Sequence, residues 1–247
     1  MKKVLVTGAT GYVGLHCVVD LIKNGFFVRG SVRTPSREAE IRKVLIKELG
    51  SDQQFECCEL NLSDDKGWDE ACSGCEFVLH VASPLPFKEP KDENELIGPA
   101  KEGALRVLKA AKKAGVARVV LTSSVAAIAY GHQNDEAHLY TEADWTDIEC
   151  PDVTAYVKSK TLAEKAAWEF INNQESNATH KLELSVINPG LIIGPMLGDD
   201  IGATSIQSIV KLLKKELPFL PNICFYCVDV RDVAMLHRNA MLSDQAS

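Results

Sequence analysis

The apolar run Val4-Leu5-Val6, the turn Thr7-Gly8-Ala9-Thr10-Gly11-Tyr12-Val13-Gly14 and the amphipathic stretch through Leu21 and Ile22 constrain this chain more than any other feature. In that order they read as strand, glycine turn and helix, the opening unit of a dinucleotide-binding fold. Gly8 lets the chain turn sharply, Gly11 lets the backbone approach a pyrophosphate, and Gly14 lets the helix pack closely on its strand. The amides at the helix N-terminus then face the phosphates, with Thr10, Tyr12 and Val13 along the same turn. The spacing G-x-x-G-x-x-G is one residue longer than the common fingerprint, and a glycine-rich turn that binds nothing is the alternative. The strand before it and the helix after it favour the binding site.

The rest of the chain continues the pattern. Apolar runs at Phe26 to Val32, Phe55 to Leu60, Phe77 to Val81, Val116 to Leu121 and Leu184 to Ile187 alternate with helical stretches near Trp68 to Ala71, Ile97 to Ala114 and Tyr156 to Asn172. Such alternation predicts an α/β fold, a doubly wound parallel sheet of the Rossmann type. Polar or conformationally special residues follow the strands at Ala82-Ser83-Pro84, Thr122-Ser123-Ser124 and Asn188-Pro189-Gly190, the ends at which ligands bind in such sheets. Composition shifts near Gly194, where Pro195, Pro218 and Pro221 interrupt shorter elements. The expected organisation is a dinucleotide-binding domain over 1–190 and a small, incomplete substrate lobe over 191–247, with the chain returning to the core near 224–242.

The end of the second strand is where such folds choose between a ribose hydroxyl, held by an acidic residue, and a 2'-phosphate. No Asp or Glu occurs between Leu21 and Arg37, whereas Arg29, Arg33 and Arg37 are cationic. A 2'-phosphate, and hence NADP (NADPH), fits better. Arg33 is the preferred clamp because a guanidinium binds phosphate bidentately; the alternative is a solvated surface Arg.

Tyr156 and Lys160 stand four residues apart, on one face of the predicted helix. An ammonium beside a phenol favours the phenolate, so the pair is expected to lower the Tyr156 pKa and to give a proton donor or acceptor for a carbonyl or alcohol oxygen. The spacing also occurs between solvated neighbours. It gains weight here from the glycine turn and the polar strand ends.

With 247 residues and a net charge of −7, the chain can bury a sizeable core and offers no basic field for nucleic acid or an anionic membrane. No stretch reaches the roughly 20 apolar residues of a membrane span, and the Met1-Lys2-Lys3 start lacks a following signal-peptide core, so a cytoplasmic protein is expected. The eight cysteines are scattered. Cys72-Ser73-Gly74-Cys75 and Cys224-Phe225-Tyr226-Cys227 have zinc-like spacing without a His at ligand distance, which points to buried, reduced thiols and no metal. The sequon Asn177-Ala178-Thr179 carries little weight without a secretory signal.

Taken in order, Thr7 to Gly14, His80-Val81-Ala82-Ser83-Pro84, Thr122 to Ser124, Tyr156 to Lys160, Pro189-Gly190 and Val228-Asp229-Val230-Arg231-Asp232-Val233-Ala234 resemble the extended short-chain dehydrogenase/reductases. Within them the chain is similar to the dihydroflavonol reductase and cinnamoyl-CoA reductase group, whose aldehyde and ketone reductases include bacterial and fungal members. The resemblance spans essentially the whole chain. It implies that Ser124, rather than Ser123, holds the substrate carbonyl and that Tyr156 donates the proton. Lys160 would then support Tyr156 and bind the nicotinamide ribose. It places Asn61 and Leu62 at the adenine and Ala82 and Pro189 beside the nicotinamide. The implied activity is NADPH-dependent reduction of a small or aromatic aldehyde or ketone by a monomer or homodimer.

Three departures qualify it. Asn61-Leu62 replaces the usual Asp-Leu; Ala129 stands where flavonoid reductases carry a substrate-binding Asn; and family members run well beyond this chain, so a fragment or a reduced lobe with a more open pocket is expected. The pocket candidates are Leu85, Pro86, Phe87, Ala126, Ile193, Met196, Ile209 and Phe225. A nucleotide-sugar epimerase or dehydratase and a non-catalytic dinucleotide-binding protein remain as alternatives, the first disfavoured by the missing acid after the second strand.

Overall fold

The computed structural model describes residues 1–84, 90–132, 138–175, 180–198, 203–216 and 225–246. Six parallel strands form one sheet: β1 (Lys3–Thr7), β2 (Phe27–Val32), β3 (Phe55–Glu59), β4 (Phe77–His80), β5 (Arg118–Thr122) and β6 (Glu183–Ile187). Their order is β3-β2-β1-β4-β5-β6. Every neighbouring pair is parallel, as at Val4 beside Val28 and Phe77. The helices are α1 (Tyr12–Lys23), α2 (Glu38–Leu49), α3 (Trp68–Cys72), α4 (Asn94–Ala114), α5 (Ala155–Asn172), α6 (Thr204–Leu213) and α7 (Val230–Leu242). A pair of three-residue strands, β7 (Leu191–Ile193) and β8 (Cys227–Asp229), forms a second, parallel sheet.

Two-residue alternation along each strand builds two cores. Val4, Val6, Val28, Leu79 and Val120 face α1, α2 and α7 and pack with Leu15, Leu45 and Met241. Leu5, Val78, Val119, Leu121 and Leu184 face α3, α4 and α5 and pack with Trp68, Leu108 and Ala167. Because both faces are covered, the strands read as continuous apolar runs rather than alternating ones. Each fully buried aliphatic side chain here contributes about 1.5–3 kcal/mol. By contrast, β7 is only half buried and α6 has no buried residue, so the main sheet is the frame on which the site rests.

The C-terminal helix is tied to that frame. Arg118, 4% exposed, pairs with Glu183 at 2.6 Å and donates to the carbonyls of Ala240 and Ser243, while Arg238 of α7 pairs with Asp20 of α1 at 2.7 Å. The β7–β8 contact is equally close: a Cβ on Gly190 would lie 2.1 Å from the Tyr226 carbonyl oxygen. Among the described residues no helix is long and apolar enough to cross a membrane.

The cysteine expectation needs one correction. Cys17, Cys72 and Cys75 are buried, and burial raises each thiol pKa, that of Cys72 to about 12. Cys227, however, is exposed, because β8 lies at the surface rather than in the core. Cys224 and the sequon at 177–179 lie outside the described residues. Among the described residues no cluster of metal-binding side chains occurs.

Candidate active site

The strand order reverses between β1 and β4, and a cleft of about 910 Å³ opens at the carboxyl ends of the strands around that point. Gly8, Thr10, Gly11, Tyr12, Val13 and Gly14 line it from the turn after β1. Arg33 enters after β2, Leu62 after β3, Ala82 after β4, Ser124 after β5 and Pro189 after β6, with Tyr156 and Lys160 from α5. Of the residues expected at the cofactor, only Asn61 is not on this wall. Its side chain accepts a bond from the Ser63 amide at 3.0 Å, closing a local turn, and its carbonyl receives the Trp68 indole. Trp68 itself lines the cleft, which the sequence reading treated only as part of a helix.

The glycine turn is built as its spacing requires, with one refinement. Gly8 has φ +68°, a conformation open to glycine and costly for other residues, and its amide donates to Ser31 Oγ at 3.1 Å. A Cβ on Gly14 would lie 2.2 Å from the Gly8 carbonyl oxygen, so Gly14 permits packing of α1 on the turn itself. At the N-terminus of α1, Gly11 supplies no capping side chain and the first turn carries no acidic residue. The first amides of the helix therefore remain available to an anion at the positive end of the helix dipole.

The three arginines separate by partner. Arg29 pairs with Glu56 at 2.6 Å and donates to the carbonyls of Glu70, Ala71 and Ser73, so it ties β2 to the end of α3. Arg37 lies on the cleft and pairs with Glu40 at 2.9 Å. Arg33 faces the cleft and has no ion-pair partner among the described residues.

Thr154 starts α5: its hydroxyl accepts from the Val157 amide at 3.4 Å, which orients the first turn and with it Tyr156. The Ser124 side chain lies near enough to Tyr156 to oppose the rise of its pKa. Ser124 also caps its own turn, accepting from the Ala126 amide at 3.1 Å, and it lines the cleft. Lys160 is 8% exposed and donates to the Thr122 carbonyl at 3.2 Å.

Here the expected depression of the Tyr156 pKa fails. Burial raises it, Ser124 only partly opposes this, and Tyr130 adds to the rise. Desolvation instead falls on Lys160, whose pKa drops to about 8 while Glu164 resists the fall. Tyr156 is thus a neutral phenol at neutral pH, the form that donates a proton.

Behind these residues, His80 is buried and neutral, its pKa pushed down to about 3 by burial and by Lys160, with Nδ1 3.0 Å from the Thr7 hydroxyl. Thr7 in turn accepts from the Ala82 amide at 3.1 Å, which fixes the strand end at the cleft. Ser123, 5% exposed, also lines the cleft and its hydroxyl has no partner among the described residues. Of the pocket candidates, Met196 lines the cleft; Ala126 is packed with Val153 and Val157, and Ile209 and Phe225 are exposed. Ile193 is half buried and its neighbour Ile192 takes the wall position. Leu85, Pro86 and Phe87 lie outside the described residues.

The profile of the NAD dependent epimerase/dehydratase family matches residues 4–220. The chain belongs to this family. Its relatives in the family include cinnamoyl-CoA reductase CAD2 of Medicago truncatula, 37% identical over an alignment of 248 positions that covers 99% of this chain and 73% of the relative. The bifunctional dihydroflavonol 4-reductase/flavanone 4-reductase of Malus domestica is 36% identical over 87% of this chain and 61% of its own length. The yeast methylglyoxal/isovaleraldehyde reductase Gre2 complexed with NADPH superposes with a TM-score of 0.84 at 31% identity, covering 99% of this chain and 75% of that one. The chain thus spans between about three-fifths and three-quarters of the proteins it matches.

The residues present fit a dinucleotide of the family's kind. The Gly8–Gly14 cradle excludes side chains, the amides of α1 are uncapped, Arg33 is free to meet a phosphate, and the Ser123 hydroxyl lacks a partner among the described residues.

Proposed function

We propose that this cleft binds NADPH and reduces a small or aromatic aldehyde or ketone to the alcohol, with Tyr156 as proton donor. The gathering of Ser124, Tyr156 and Lys160 in the same cleft as the glycine turn carries this reading. When bound, NADPH supplies the hydride to the carbonyl carbon. The substrate oxygen is held by the Ser124 hydroxyl and takes its proton from Tyr156 Oη. Raised by burial, the Tyr156 pKa keeps that proton in place at neutral pH. Lys160, charged below about pH 8, stabilises the phenolate left behind until solvent returns the proton. Arg33 supports NADPH over NADH, and the absence of an acidic residue at the end of β2 speaks against an epimerase that retains NAD.

The test follows NADPH and NADH consumption against small aldehydes, diketones and aromatic ketones. Tyr156→Phe is expected to lower kcat by about 10²–10⁴-fold, as loss of a general acid does. Undiminished turnover in Tyr156→Phe overturns the mechanism, and tight NADPH binding with no turnover of any carbonyl favours the non-catalytic reading.

A further inference from the structure

Glu164 lies one turn beyond Lys160 on α5 and is 6% exposed, a position where a carboxylate persists only with partners. Its Oε2 accepts from Asn188 Nδ2 at 2.8 Å, and its Oε1 accepts from the Trp168 indole at 3.4 Å. The same Asn188 amide group donates to the backbone carbonyl of Ser124 at 3.2 Å. One carboxylate therefore connects α5, the loop after β6 and the loop after β5. It also lines a small space together with Lys160 and His80.

We infer that Glu164 is a positioning residue of the site: through Asn188 it fixes the backbone of Ser124, and by its charge it keeps Lys160 protonated. This rests on the reductase reading above. The titratable groups around Lys160 among the described residues are Glu164 and Tyr156 from α5 and His80 from β4, and Tyr156 and His80 are neutral across the working range. Glu164 is thus the charge that opposes the desolvation of Lys160. The Asn188 strut has a separate function, since it tethers the Ser124 carbonyl itself, whereas the Ser124 hydroxyl is held in the cap on Ala126.

Glu164→Gln keeps an oxygen for Asn188 and removes the charge. Its basic limb in the kcat profile, set by Lys160, is expected to move down by about one pH unit, with kcat at pH 6 close to native. A second readout needs neither cofactor nor turnover: the carbon NMR titration of Lys160 Cε in lysine-labelled protein, assigned by its loss in Lys160→Arg. Its midpoint is expected near pH 8 in the native protein and about one unit lower in Glu164→Gln. Asn188→Ala is expected to lower kcat about tenfold at every pH without moving the limb, and it tests the strut if Glu164→Gln does not fold. An unmoved Lys160 midpoint in Glu164→Gln, or native kcat in Asn188→Ala, overturns the inference. Activity that survives Tyr156→Phe overturns the reductase reading instead, and the NMR midpoint still decides the function of Glu164.

Discussion

Replacing Gly14 with Ala tests how the turn after β1 divides packing from binding. A Cβ there would lie 2.2 Å from the Gly8 carbonyl oxygen and 2.9 Å from the Gly8 carbonyl carbon. Ordinary carbon contacts lie near 3.5 Å, so α1 must back away from the turn by about 1 Å. Overpacking of that size costs about 1–3 kcal/mol, and Ala recovers about 1 kcal/mol of helix propensity over Gly. The net loss is up to about 2 kcal/mol, a fall in Tm of up to about 8 °C for a chain of this size. Because the shift also displaces the first amides of α1, NADPH affinity falls with stability. Gly11→Ala is the comparison. Its Cβ would meet only the Gly8 oxygen, at 3.2 Å, and its φ of −75° suits any residue. Stability should fall by no more than about 1 kcal/mol, from the poorer N-cap. The methyl group, however, stands where the backbone approaches the ligand, and a loss of about 1.4 kcal/mol of binding weakens NADPH tenfold. Thermal denaturation and fluorescence titration with NADPH measure the two effects. A Gly14→Ala protein that melts at or above the native temperature, or a Gly11→Ala protein with native NADPH affinity, refutes the assignment.

Arg33→Ala should weaken NADPH by about 10–100-fold, the worth of charge-assisted hydrogen bonds to a phosphate, and leave NADH nearly unchanged; an unaltered NADPH-to-NADH affinity ratio would show that another residue makes the choice. His237 is fully buried between the Thr122 hydroxyl, which donates to Nε2 at 2.7 Å, and the Val233 carbonyl, which accepts from Nδ1 at 2.7 Å. Burial lowers its pKa to about 4, so the unfolded chain takes up a proton near pH 6.5 that the folded protein refuses. The stability this gives is whole above pH 6.5 and lost as pH falls toward 4, at about 1.4 kcal/mol per unit. In His237→Gln, urea denaturation between pH 6.5 and 4.5 should show that slope reduced by about one proton, and an unchanged slope would assign the acid loss elsewhere.

The spacing of apolar runs and turn residues placed all six strands of the main sheet within a few residues, because strand and helix periodicities are local properties of the chain. The glycine turn was legible for the same reason: Gly8, Gly11 and Gly14 act on residues within one turn of themselves. So was the shared face of Tyr156 and Lys160, which helical geometry alone dictates. Glu164 stands at that same four-residue spacing from Lys160, a signal present in the sequence but indistinguishable there from a solvated charge.

Tertiary structure decided what covers each group. Arg29 and Arg33 lie on one short stretch of chain, yet Glu56 and the end of α3 claim the first while the second faces the cleft. Asn61 closes a local turn with Ser63 and does not line the cleft, whereas Trp68, at the start of α3, does. The pKa order shows the cause most directly. Sequence puts an ammonium near a phenol and predicts that the phenol falls; the fold buries both, and desolvation raises Tyr156 and lowers Lys160 instead. Spacing along a helix fixes direction, whereas dielectric, hydrogen-bond partners and access depend on segments far away in the chain, here β5, the loop after β6 and α7.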